Sequence, residues 1–141
     1  MHKKKIIQIC CAAVLAIAPF SALHAKPTGS LQTKDGVFTF SPALCAIYKE
    51  DDAYDIEVHG PGSAPNGEKV YVGFSSMGEF LEVHFGADHS TDVSDTRIQS
   101  DGTLQTHVDG LKVRVESIRL VDQGRQAVDE DAALEIDCSR T

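Results

Sequence analysis

The stretch Thr103-Leu-Gln-Thr-His-Val-Asp-Gly-Leu-Lys-Val-Arg-Val-Glu116 decides the fold class. Asp109-Gly110 at its centre tolerates the positive φ angles of a two-residue hairpin turn. Folding the chain there sets Val108 against Leu111, Thr106 against Val113 and Leu104 against Val115. The opposite face pairs His107 with Lys112, Gln105 with Arg114 and Thr103 with Glu116. One face is largely apolar and the other polar. A slip by one residue would carry valine and leucine into water, so the register is well specified. The rest of the chain is then expected to supply strands that cover the apolar face.

Upstream, residues 69–75 and 80–85 form a second hairpin. A four-residue loop, Ser76 to Glu79, sets Phe74 against Leu81, Val72 against Val83 and Val70 against Phe85. Earlier still, residues 45–49 and 54–59 read as two strands joined by the acidic turn Glu50 to Ala53. Residues 31–40, around Lys34-Asp-Gly36, read as a short hairpin or an edge strand. Pro42 breaks pairing. Residues 60–67, with three glycines and two prolines, read as a loop, and residues 26–30 as a flexible lead-in. Residues 86–101 are polar and acidic, with a short strand at 96–99.

Downstream, the alternation changes phase. Leu111, Val113 and Val115 are odd-numbered, whereas Ile118 and Leu120 are even-numbered. Either a β-bulge falls near Glu116–Ser117 or the strand crosses to a second sheet there. Residues 121–131 are a polar excursion with room for one helical turn. Residues 133–138 are the last strand, with Leu134, Ile136 and Cys138 on one face. No segment sustains a 3.6-residue apolar period. The expected fold is therefore all-β, a small antiparallel β-sandwich of about eight strands, a pattern that sandwiches and small barrels share.

The N-terminus carries its own signal. Met1 to Lys5 is basic, residues 6–23 are apolar apart from Gln8, and small residues follow at Ser21, Ala22 and Ala25. This is the layout of a secretory signal peptide cut after Ala25, which implies an exported protein of the periplasm or cell envelope. Residues 26–141 are then a single β-sandwich domain with no transmembrane segment. Removing residues 1–25 takes away Lys3, Lys4 and Lys5, leaving 10 basic and 21 acidic side chains, a net charge of −11. That balance disfavours nucleic acid and anionic membranes as partners and admits a basic protein or a divalent ion. Tryptophan is absent and aromatic residues are few, so a stacking groove for sugars or bases is not expected. Two cysteines remain, Cys45 and Cys138. In an oxidising compartment they most simply form one disulfide between an early strand and the last one.

These features resemble the mycobacterial 19-kDa lipoprotein antigen family over roughly residues 35–139. The likeness lies in Cys45 opening an early strand and in an Ile-Glu-Val strand ending in glycine, Ile56 to Gly60. It lies also in a strand ending Phe85-Gly86, an Asp-Gly turn leading a long alternating strand from Asp109 to Leu120, and a terminal strand from Leu134 to Ser139. The resemblance implies a disulfide-bridged, non-enzymatic β domain at the cell envelope. The sequence departs from that family in having no lipid-attachment cysteine at the end of its signal: Cys10 and Cys11 sit at the start of the apolar run.

Candidate chemistry is sparse. No Gly-x-Ser-x-Gly is present, and Ser75-Ser76 with His84 is the nearest approach to a hydrolase set. A sharper candidate is a metal site. Glu82 and His84 are two apart on one strand and so share a face, and Asp88 and His89 follow directly. Two histidines with carboxylates suit zinc or copper, and an acidic loop suits calcium. Otherwise no cofactor is expected. The acidic clusters Glu50-Asp51-Asp52 with Asp55, and Asp129-Glu130-Asp131, would face a basic protein partner.

Overall fold

A computed structural model of the chain describes residues 26–86 and 97–139. Among these, ten antiparallel strands form one sheet: β1 (Thr28–Thr33), β2 (Gly36–Phe40), β3 (Leu44–Glu50), β4 (Ala53–Ser63), β5 (Lys69–Ser75), β6 (Phe80–Phe85), β7 (Arg97–Ser100), β8 (Gln105–Asp109), β9 (Lys112–Val121) and β10 (Ala127–Asp137). There is no helix among the described residues, so the helical turn expected near 121–131 is a tight turn instead.

The sandwich expectation is corrected to a closed barrel. β10 pairs with β9 along one edge and with β1 along the other, so the sheet closes on itself. The ten strands make eight staves. β2 and β3 run along the same neighbour, β4, joined through the Ser41 N–H bond to Pro61 O (2.9 Å) and the Ala43 N–H bond to His59 O (2.8 Å). β7 and β8 likewise share β9, joined by the Asp101 N–H bond to Arg119 O (2.9 Å). The sequence pattern does not separate the two architectures, because both need alternating strands with one apolar face.

The interior is filled by one apolar cluster that includes Leu31, Phe38, Ile56, Val72, Phe74, Leu81, Val83, Val115, Ile118 and Leu134. Eight staves leave a lumen that side chains can fill. Charged residues such as Glu57, Glu82, Arg97, Arg114 and Glu135 point outward. This is the reverse of a lipid-facing barrel, whose outer face is an apolar band. No helix among the described residues is long and apolar enough to cross a membrane.

Several local readings hold. The β5–β6 register matches the expected one at Phe74↔Leu81, Val72↔Val83 and Val70↔Phe85. The phase change on β9 is a bulge: Glu116 and Ser117 together oppose Ala133, and Ser117 takes φ +54°. β9 therefore stays in one sheet.

Others are corrected. In the central hairpin the turn lies one residue later, at Gly110-Leu111, and Val108 pairs with Val113 rather than Leu111. Gly110 (φ +60°) is the first central residue and Leu111 keeps a negative φ, the form of a type II′ turn. The faces are preserved, since the shift moves each pair by two. Thr28–Ser30, expected to be flexible, belong to β1. Residues 60–63, expected as loop, extend β4. A Cβ on Gly60 would lie 2.2 Å from Ser41 O and 2.8 Å from Ala43 N, so glycine there lets the β2–β3 bend pass across β4. Asp129 is not part of a solvated acidic patch. It is buried, and its carboxylate accepts the Lys34 N–H (2.6 Å) and the Asp131 N–H (2.8 Å).

Candidate binding end

The tip of the β3–β4 hairpin, residues 48–55, extends past the last β4–β5 pair, Glu57↔Ser75, as a two-stranded arm. β1 begins only at Thr28 and β5 ends at Ser75, so neither flanks the arm to its tip. The Cys45–Cys138 disulfide, with Cα atoms 5.8 Å apart, ties β3 to the end of β10 across the space beside β1. The Cys138 N–H also bonds Leu111 O at 2.8 Å. Cys45 and Cys138 are thus both structural. The expected pairing is present.

The arm is locked on its other side by Ser76. Its hydroxyl donates to Tyr54 O (3.1 Å) and accepts from Ile56 N–H (2.8 Å), replacing the ladder that β5 no longer supplies. Ser75 Oγ accepts from Gly78 N–H (3.3 Å). The two serines weighed as nucleophiles are therefore both engaged with backbone groups, and His84 bonds elsewhere.

Exposed aromatic and thioether side chains gather at this end. Tyr48 is 65% exposed, Met77 76%, Phe80 42% and Tyr54 39%. Tyr48 and Tyr54 lie on the arm, and Met77 and Phe80 on the adjacent β5–β6 turn. Around them stand Glu50, Asp51, Asp52, Asp55, Glu57 and Glu79. Among the described residues, none of these six carboxylates forms an ion pair, whereas the four described arginines are spent elsewhere. Arg97 meets Glu82, Arg114 meets Glu116 and Glu135, and Arg119 and Arg125 meet Asp101, with Arg119 also on Glu130. Lys49, the basic residue of the arm, stands over the Tyr54 ring at 5.9 Å. The end is therefore both apolar and unneutralised. Tyr48 and Tyr54 stand on opposite faces of the arm, and exposed amphipathic aromatics of this kind are enriched at interface centres.

The sequence reading found the acidic turn but not Tyr48, Met77 or Phe80. A parity argument finds two of them: Ile47 and Leu81 point inward, so Tyr48 and Phe80 must point out. That they share one end with Met77 follows only from the topology.

The expected metal residues fall on the outer face of β6. His84 Nε2 lies 3.0 Å from Glu82 Oε2, and Arg97 Nη1 lies 3.5 Å from the other carboxylate oxygen. Asp88 and His89 lie outside the described residues. His59 of β4 bonds the Tyr71 hydroxyl of β5 through Nδ1 at 2.5 Å. Among the described residues no three His, Cys, Asp or Glu side chains converge as a metal set. Arg97 already brings Glu82 the positive charge that a metal cation would bring. The metal expectation is tested by thermal melting of the wild type and of His84→Ala with excess zinc or copper. A metal-dependent rise in the wild type that His84→Ala abolishes would restore the metal site.

A third place is a broad, open hollow of about 760 Å³ on the outer face of β2, β1, β10, β9 and β8. Thr28, Ser30 and Thr39 form one wall, His107, Lys112 and Arg114 the other, and Glu135 and Asp137 lie between. Its acidic and basic columns stand side by side and compensate each other, so it selects no sign of charge.

Comparison with protein-family models, curated proteins and solved structures finds no match for the chain.

Proposed function

We propose that the chain is an exported, non-catalytic binding protein of the periplasm or cell envelope. Its disulfide-locked arm docks a basic protein partner. The likeness to the 19-kDa lipoprotein antigen family fits this reading, as does a disulfide, which persists in oxidising compartments. The observation that carries it is the coincidence of exposed Tyr48, Tyr54, Met77 and Phe80 with six carboxylates that lack basic partners among the described residues. Aromatic anchors supply affinity once dehydrated, and unpaired carboxylates set the sign of the partner and speed its approach.

The test is binding of a lysine-rich peptide that contains leucine or valine, measured at low and at physiological salt. Affinity should fall with salt, because exposed charges are screened beyond about 8 Å at physiological ionic strength. Tyr48→Ala and Phe80→Ala should each weaken binding by about tenfold, a loss of about 1.4 kcal/mol. Asp55→Asn with Glu57→Gln should slow association with less effect on dissociation. Equal binding by wild type and Tyr48→Ala would remove the arm from the account.

A further inference from the structure

We infer that the partner segment binds as an added β-strand along the outer edge of β3. This rests on the reading of the arm as a docking surface for a basic partner and names how it docks. Among the described residues β3 pairs with β4 alone. Cys138 stands beside Cys45, so the edge is open from Ala46 to Glu50.

The backbone groups on that edge follow from the hydrogen bonds of β4. The Ile56 N–H bonds Ser76 Oγ, on the side away from β3. Ile47, its partner in the register, therefore directs its own N–H and C=O away from β4 as well. Two residues on, Lys49 does the same. Two donor–acceptor pairs thus face outward on a strand that no described strand covers, the arrangement that takes up an extended peptide.

The side chains say which peptide. Leu44, Ala46 and Tyr48 form an apolar column along the outward face of β3. His59, Glu57 and Asp55 are their register partners on β4 and form the next column. A long basic side chain on an added strand can pass over the Ala46 methyl group and reach Glu57. Apolar residues of the same strand lie against Leu44 or Tyr48. The occupant is therefore an extended segment that mixes lysine or arginine with apolar residues. A second copy of this chain does not supply that charge: the open edge pairs odd-numbered positions with odd-numbered ones, so the copy's Lys49 would fall on the face opposite Asp55 and Glu57.

Edge strands are often guarded by a lysine or a proline. Here Lys49 leans over Tyr54 on its own arm, and Pro42 and the bend at Ala43 precede the open segment. The edge is thus left accessible where the apolar column runs.

Lysine 49 also supplies the test. Lys49→Ala removes a positive charge, and should leave binding of a short alternating lysine–valine peptide unchanged or tighter. Lys49→Pro removes the same charge together with the edge N–H, without breaking the β3–β4 ladder. Strand addition predicts that Lys49→Pro binds at least about tenfold more weakly than Lys49→Ala. In the wild type, saturating peptide should slow amide exchange at Ile47 and Lys49 by at least about tenfold, a readout independent of any variant. Methylating alternate backbone nitrogens of the peptide should abolish the effect. If the peptide binds with Lys49→Pro and Lys49→Ala alike and these amides stay unprotected, strand addition is wrong while the docking surface stands. If neither this peptide nor any lysine-rich peptide binds at low salt, the docking reading fails with it.

Discussion

A Cys45→Ala/Cys138→Ala double variant is expected to lose about 4–5 kcal/mol of stability. The bridge spans 93 residues, and in the chain-entropy model a closed loop of that length restricts the unfolded ensemble by about that amount. A typical domain has only about 5–15 kcal/mol in total. In a chain of this size the loss corresponds to a fall in melting temperature of roughly 20 °C. The consequence is local as well. Without the bridge, β3 keeps its ladder to β4 but loses its tie to β10, so amide exchange should accelerate first in residues 44–50. Denaturant unfolding of the oxidised and double-alanine proteins measures the first effect, and residue-resolved exchange the second. A loss below about 1 kcal/mol would mean that the arm is held by other contacts.

Gly60→Val is expected to cost about 3–5 kcal/mol, although the residue lies in a stretch that reads as loop. The new Cβ would meet backbone atoms of Ser41, Pro42 and Ala43, and no side-chain rotation relieves such a clash. Overpacking costs about 1–3 kcal/mol. Each backbone hydrogen bond lost at the bend, Ser41 to Pro61 and Ala43 to His59, adds about 1 kcal/mol. Gly67→Val is the control for glycine content: its neighbourhood is open space, but its φ of +85° is strained for any side chain, so it should cost about 1–2 kcal/mol. If the two variants unfold at the same denaturant concentration, the close crossing at Gly60 is not holding the arm.

Gly60 also marks where the sequence ceased to be informative. Glycine and proline punctuate loops, but glycine also appears in a strand where another backbone passes close. Those two uses look identical without the neighbour, and the neighbour here, Ser41 to Ala43, is some twenty residues away. The same limit hid the barrel. β1 and β10 sit at opposite ends of the chain, and nothing in their alternation says that they pair. By contrast, the β5–β6 register was legible, because one loop length alone aligned Phe74, Val72 and Val70 with apolar partners. The β9 bulge was legible because parity must change by one residue. In the central hairpin, parity fixed the faces but not the turn, since moving from Asp109-Gly110 to Gly110-Leu111 preserves both faces. Asp129 reads as one more charge in an acidic run; only the Lys34 backbone beside it explains its burial.

The candidate site divides the same way. The Cys45–Cys138 pairing was read from two cysteines left after the expected signal peptide, and the acidic turn at Glu50 to Asp52 from composition. The gathering of Tyr48, Tyr54, Met77 and Phe80 depends on the β3–β4 arm lying beside the β5–β6 turn, a contact made by the Ser76 hydroxyl. The absence of basic partners for those carboxylates among the described residues depends on where four arginines fold.

The most direct measurement is amide chemical-shift mapping of isotope-labelled residues 26–141 during titration with an alternating lysine–valine peptide. Docking at the arm predicts shifts concentrated in residues 44–57 and 76–80, diminishing as salt rises. Shifts confined to the hollow around Thr28, Ser30, Lys112 and Arg114, or no shifts at low salt, would contradict it.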